Sequence, residues 1–116
     1  MDRLFKIYDF LLLPTAQAFP FDAQTHWPRE INGHAMDTYH RWMEVVLPAT
    51  MAGCPALSIP AGFNDQGLPM GLQIIGPRNS DLTCLQLAYA YENATSWIEN
   101  RPSLLLDPEF RNTRKR

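Results

Sequence analysis

The sequence predicts an α/β fold in which a mixed sheet is flanked by helices. Three observations predict it. The run "DFLLLP" (residues 9–14) is apolar or aromatic without polar alternation, which suits a strand covered on both faces, as in the middle of a sheet. Residues 53–76, "GCPALSIPAGFNDQGLPMGLQIIG", set two short apolar runs around a turn-rich middle. The segment that follows, "LTCLQLAYAYEN", is apolar nearly all round, as a helix packed on more than one side would be.

Residues 2–8 suit a short helix, and the strand after it closes at Pro14. Residues 14–33 hold Pro14, Pro20, Pro28 and Gly33 together with Phe19, Phe21 and Trp27, and no repeating pattern, which predicts a long loop. Loops of this length are usually functional or disordered, and three aromatics of the kind that bury argue against disorder. A helix is predicted at about 34–47, because Met36, Tyr39, Met43 and Leu47 recur at helical spacing with Trp42 and Val46 beside them. Pro48 ends it or starts the next turn, and "PATMAG" forms a further helical turn stopped by Gly53.

The runs "ALSI" and "MGLQIIG" read as a strand pair at about 56–60 and 70–75. A parallel return would need a crossover of about a dozen residues, so the pair is antiparallel, with Asn64, Asp65 and Gly67 supplying the turn. Asn79 or Ser80 caps a second helix at about 80–100, with Asp81 in its favourable first turn. From Pro102 an irregular tail is expected.

The 116 residues suffice for one domain or part of one, and 46% hydrophobic with 19% charged residues is an ordinary globular balance. No apolar run approaches the roughly 20 residues of a membrane span, so no membrane partner is expected. The start, "MDRLFKIYDFLLLP", is broken by Asp9 and lacks a small-residue cleavage site; it reads as no export signal, and a cytoplasmic protein is expected. Cys54 and Cys84 lie in apolar surroundings without CxxC spacing, which predicts reduced core thiols. Residues 1–110 carry twelve acidic and six basic side chains, whereas 111–116 carry Arg111, Arg114, Lys115 and Arg116. With no interleaved aromatics and no basic face on the body, this tail predicts a disordered terminus and no nucleic-acid partner.

Candidate chemistry is sparse. Ser58 in "ALSIP" lacks the flanking glycines of a nucleophile elbow and reads as a strand serine. His34, Asp37 and His40 stand at spacings of three along a predicted helix, but HxxxH spacing and a further ligand are missing, so no metal is expected. There is no glycine-rich phosphate loop, and no cofactor is expected. His26 and Trp27 are pocket candidates, since an amphipathic aromatic on an ordered loop commonly walls a small-molecule cleft.

With the elements placed, "GCPALSIPAGF", then "GLPMGLQIIGP", then Asp81 and "LQLAYAYE", are similar to the C-terminal region of the amidase signature family. Upstream, "YDFLLLPT" resembles that family's apolar strand ending in Pro-Thr, and "MDTYHRWMEVVLPATMAGCP" its helix leading into the Gly-x-Pro strand. The resemblance runs from about Tyr8 to Trp97. It implies an amide hydrolase fold whose chemistry rests on a Ser-cisSer-Lys triad in a glycine- and serine-rich segment, with backbone amides as the oxyanion hole. This chain has no such run, and its one lysine before the tail, Lys6, lies outside any matching motif. No catalytic residue carries over.

The resemblance therefore implies that 1–110 is the C-terminal part of an amidase domain, a fragment of the amidase signature fold that is inactive alone. Its open strand edges are expected to seek an N-terminal amidase part, or to drive self-association or rearrangement of the isolated chain. A small amide substrate belongs to the complete enzyme, with His26, Trp27 and Met51 as candidates for one wall of its cleft. The alternative is a non-catalytic structural or interaction module derived from the same fold.

Overall fold

The computed structural model describes residues 1–100. Its strands are β1 (Leu11–Pro14), β2 (Glu30–Ile31), β3 (His34–Ala35), β4 (Ala56–Phe63) and β5 (Pro69–Ile75). Its α-helices are α1 (Leu47–Ala52) and α2 (Asp81–Thr95), and single 3₁₀ segments occupy Leu4–Lys6, Arg41–Val46 and Trp97–Glu99.

The predicted strand pair forms and is longer at both partners than its apolar runs suggest. β4 and β5 are antiparallel, and pairing continues past an irregularity between Pro60 and Gly62 to Phe63 opposite Pro69. A bulge there is the expected answer to a proline, which has no N–H for the ladder. The turn is closed by the Asn64 side chain, whose Oδ1 accepts the N–H groups of Gln66 at 3.0 Å and Leu68 at 2.8 Å. Gly67 completes it with φ of +76°.

β1 pairs antiparallel with the other edge of β5, giving the order β1-β5-β4. Among the described residues the sheet is thus antiparallel throughout, and the expected mixed sheet is not seen. β5 rather than β1 is the central strand. The run 9–14 is predicted to be covered on both faces, but as an edge strand it leaves Leu12 54% exposed.

Side chains alternate between the two faces of the sheet. On one face Ile59 and Ile74 pack with Cys84 of α2, joined by Phe10, Leu57, Leu72, Leu87, Ala88 and Tyr91. On the other lies Gln73, only 4% exposed, whose Nε2 donates to the carbonyls of Pro14 at 3.1 Å and Val45 at 3.0 Å. A buried amide is tolerable where its donors are used, and here it fastens the segment before α1 to the sheet.

The helix predicted at 34–47 is not there. Residues 30–35 instead make a tight hairpin, in which Asn32 and Gly33 both take positive φ, 49° and 78°, as a two-residue turn matching strand twist requires. Arg41–Val46 is then 3₁₀, kinked at Met43 (φ −120°, ψ 17°). Its backbone is claimed from outside: Gln17 Oε1 accepts the N–H of Val45 at 3.0 Å, and Gln17 Nε2 donates to the Arg41 carbonyl at 3.2 Å. Regular helix begins only at Leu47, with Pro48 in its first turn, and stops at Gly53 (φ 64°) as predicted.

The helix expected at 2–8 is one 3₁₀ turn. The helix expected at 80–100 runs from Asp81 to Thr95 and ends where Ser96 adopts φ 53° and returns its N–H to the Glu92 carbonyl. Ser80 is the residue before it, but its hydroxyl donates to the Pro77 carbonyl at 2.6 Å rather than capping the helix. The predicted tails from Pro102 and at 111–116 lie outside the described residues. The radius of gyration is 17.0 Å, above the roughly 13 Å of a compact domain of about 100 residues.

Candidate functional site

The loop that follows β1 is ordered by its own aromatics. Trp27 Nε1 donates to the Met36 carbonyl at 3.4 Å, closing the loop over the β2–β3 hairpin. The Arg29 guanidinium lies 3.8 Å from the centre of the Trp27 ring, a cation–π contact, and Tyr39 meets the same indole edge-on at 5.8 Å. His26 stacks at a tilt, 4.9 Å from Trp27. Trp42 joins through edge contacts to Tyr39 at 6.2 Å and Phe21 at 5.6 Å, and its Nε1 is buried without a partner. Such pairs are worth about 0.5–1.5 kcal/mol each beyond burial, enough to order a loop that lacks regular structure.

Between this loop, the end of β1 and the 3₁₀ segment lies an open cleft of about 440 Å³. Its polar lining comes from Gln17, Asn32, His34, Arg41 and Glu44, with Met36 at its apolar side. Arg41 Nη1 lies 3.3 Å from Asp37 Oδ1 in an exposed i,i+4 pair, which contributes at most about 1 kcal/mol. A second cavity of about 250 Å³ separates β4 from the end of α2 and is walled by Leu57, Ile59, Ala88, Tyr91 and Trp97.

His26 and Trp27 belong to the aromatic cluster but do not line the 440 Å³ cleft. Met51 stands on α1, 85% exposed, and lines neither cavity. The structure therefore brings two of the three wall candidates together and leaves the third apart. Gln17, Arg41 and Glu44 were missed, because nothing local in the sequence marks Gln17 as the partner of a 3₁₀ segment that begins 24 residues further on.

Ser58 is exposed, and its hydroxyl shares a hydrogen bond of 3.1 Å with that of Thr15. Thr15 directly follows β1 and Ser58 lies on β4, and the two meet over Gly71 of β5, where a Cβ would lie 2.6 Å from Thr15 Oγ1 and 2.9 Å from Ser58 Oγ. This is a cross-sheet tie; neither hydroxyl has a base as its hydrogen-bond partner, and a serine nucleophile requires one. Among the described residues no three His, Cys, Asp or Glu side chains stand together as metal ligands. Asp37 is engaged by Arg41, and His40 packs edge-on against Tyr39 at 5.7 Å. Both cysteines are free, Cys84 buried and Cys54 half-buried.

The sequence model of the family described as Amidase matches residues 1–85. A glutamyl-tRNA(Gln) amidotransferase subunit from Nostoc punctiforme is 36% identical over 103 residues, which are 89% of this chain and 20% of that protein. The corresponding subunit from Streptococcus agalactiae is 39% identical over 105 residues, again 89% of this chain and 20% of that one. Among solved structures, a bacterial aryl acylamidase of the amidase signature enzymes superposes with a TM-score of 0.74 at 35% identity, over 88% of this chain and 22% of its own. The chain belongs to the amidase signature family, as a fragment relative to these homologues. It spans about a fifth of the length of the curated relatives it matches.

Proposed function

We propose that this chain is the C-terminal part of an amidase signature hydrolase, which cleaves amide C–N bonds only when the rest of the domain is present. Its own contribution is part of the sheet, its α2 cover and one wall of the substrate cleft. The observation that carries this reading is the coverage: nearly nine-tenths of the chain matches relatives of which it makes up only a fifth. Consistent with it, Lys6, the one lysine among the described residues, is exposed in the N-terminal 3₁₀ turn, with no serine beside it in sequence. No helix of the described residues is long and apolar enough to cross a membrane.

Purified chain, assayed alone against aryl acylamides and simple carboxamides, is expected to hydrolyse none of them above background. Turnover by the chain alone would refute the reading. His26, Trp27 and Met51 remain the residues proposed for the cleft wall, and each is exposed or half-buried, with surface left to meet a substrate or an adjoining segment. In an enzyme completed by an amidase partner, Trp27→Ala is expected to shift the kcat/KM ratio between an aryl and an alkyl amide several-fold. Its stability cost is expected to stay near 1–2 kcal/mol, the value of the lost ring contacts. If preference stays constant while stability collapses, Trp27 is only an anchor.

A further inference from the structure

We propose that the outward side of α2, formed by Leu82, Leu85 and Tyr89, is a docking surface for the remainder of an amidase domain. This rests on the reading above, and names the surface through which that reading would act.

α2 is apolar on two opposite sides. Cys84, Leu87, Ala88 and Tyr91 recur at i, i+3, i+4 and i+7 and pack on the sheet. Leu82, Leu85 and Tyr89 recur at i, i+3 and i+7 on the other side and are 69%, 59% and 69% exposed. Gln86 and Asn93 on one side of this second stripe and Glu92 on the other are exposed, and an apolar strip with a polar rim is the usual form of an interaction site.

Two observations select the occupant. The solved aryl acylamidase holds this fold at a TM-score of 0.74 while the chain covers 22% of it, so most of that protein lies outside the part matched here. The stripe is also too small to hold a partner by itself. Three such side chains cover on the order of 300 Å², against about 800 Å² on each side of a stable specific interface. Its partner must therefore grip elsewhere as well, and among the described residues β1 and β4 each have an outer edge with no strand beside it. An amidase remainder that extends the sheet and reaches over α2 meets both needs. A second copy docked through α2 alone meets neither.

The test is a chimera in which this chain replaces the equivalent segment of the aryl acylamidase, with and without Leu82→Gln, Leu85→Gln and Tyr89→Gln together. The same triple variant is made in the isolated chain. The thermal midpoint of the chimera is expected to fall by at least about 10 °C, while that of the chain alone moves by less than about 2 °C, as for surface substitutions. Equal losses in both would make the stripe part of the chain's own core, and no loss in the chimera would leave it without a partner; either overturns the proposal. So would a chimera that does not fold with the native stripe, or an isolated chain whose dimer in sedimentation is abolished by the triple variant. A folded chimera that is inactive would sink the hydrolase reading and leave this surface standing.

Discussion

Replacing Gly76 by alanine is expected to destabilise the chain by about 3 kcal/mol, the upper end for forcing a methyl group into a packed site. Gly76 is buried between the end of β5 and the start of α2. The new methyl would overlap Ser80 Oγ and lie 2.5 Å from Cys84 Sγ. Neither neighbour can step aside, because Ser80 Oγ is held by the Pro77 carbonyl at 2.6 Å and Cys84 is 1% exposed in the core. The strand and helix must separate instead, along the face that carries Ile59 and Ile74. Urea denaturation followed by circular dichroism gives the loss directly. Made in a Ser80→Ala background, which removes the overlapping oxygen, the same substitution is expected to cost measurably less. A loss below about 1 kcal/mol in the native background would show that β5 and α2 are not in the close contact described.

Gln73→Leu is expected to cost about 2 kcal/mol by a different route, the loss of two hydrogen bonds. Leucine keeps most of the volume but takes the donor from the carbonyls of Pro14 and Val45, at the exposed end of β1 and in the half-buried segment before α1. The effect is expected to be local before it is global. Val45 is held by Gln17 at its N–H and by Gln73 at its carbonyl, so the 3₁₀ segment Arg41–Val46 and the cleft beside it depend on two glutamine amides. Hydrogen exchange should show residues 41–46 losing protection well before β4 and β5. Gln73→Glu should be worse, since a carboxylate would face two carbonyl oxygens with nothing to give them. Unchanged protection over 41–46 in Gln73→Leu would contradict this account of how the segment is fixed.

The contrast between these regions explains what could be read from the sequence. The β4–β5 hairpin was legible because its determinants are local: apolar runs on either side of Asn64 and Gly67, whose side-chain hydrogen bonds and backbone freedom close the turn without help. α2 was legible for the same reason, and its apolar character on both sides was visible before there was a sheet to pack it on. The region 30–47 was not. Met36, Tyr39, Met43 and Leu47 fall at helical spacing, yet Tyr39 is placed by His26, Trp27 and Trp42, and Met43 sits at a kink. The Asn32-Gly33 pair was the local signal that should have outweighed that spacing, since it favours a two-residue hairpin turn. β1 was found but misplaced, because an unbroken apolar run reports burial in a finished protein, and here one face of that strand is open. The cleft was least legible of all: Gln17, His34 and Arg41 reach it from segments that share no motif.

The proposed function makes one central claim, that this chain supplies fold and cleft wall to an amidase whose catalytic groups lie in the rest of the domain. The most direct measurement is amide hydrolysis by the aryl acylamidase chimera, compared with the same host lacking the segment and with this chain alone. The account predicts turnover of an aryl acylamide by the chimera and none by either part assayed separately. A chimera that folds as a monomer and stays inactive, or a chain that hydrolyses amides unaided, would contradict it.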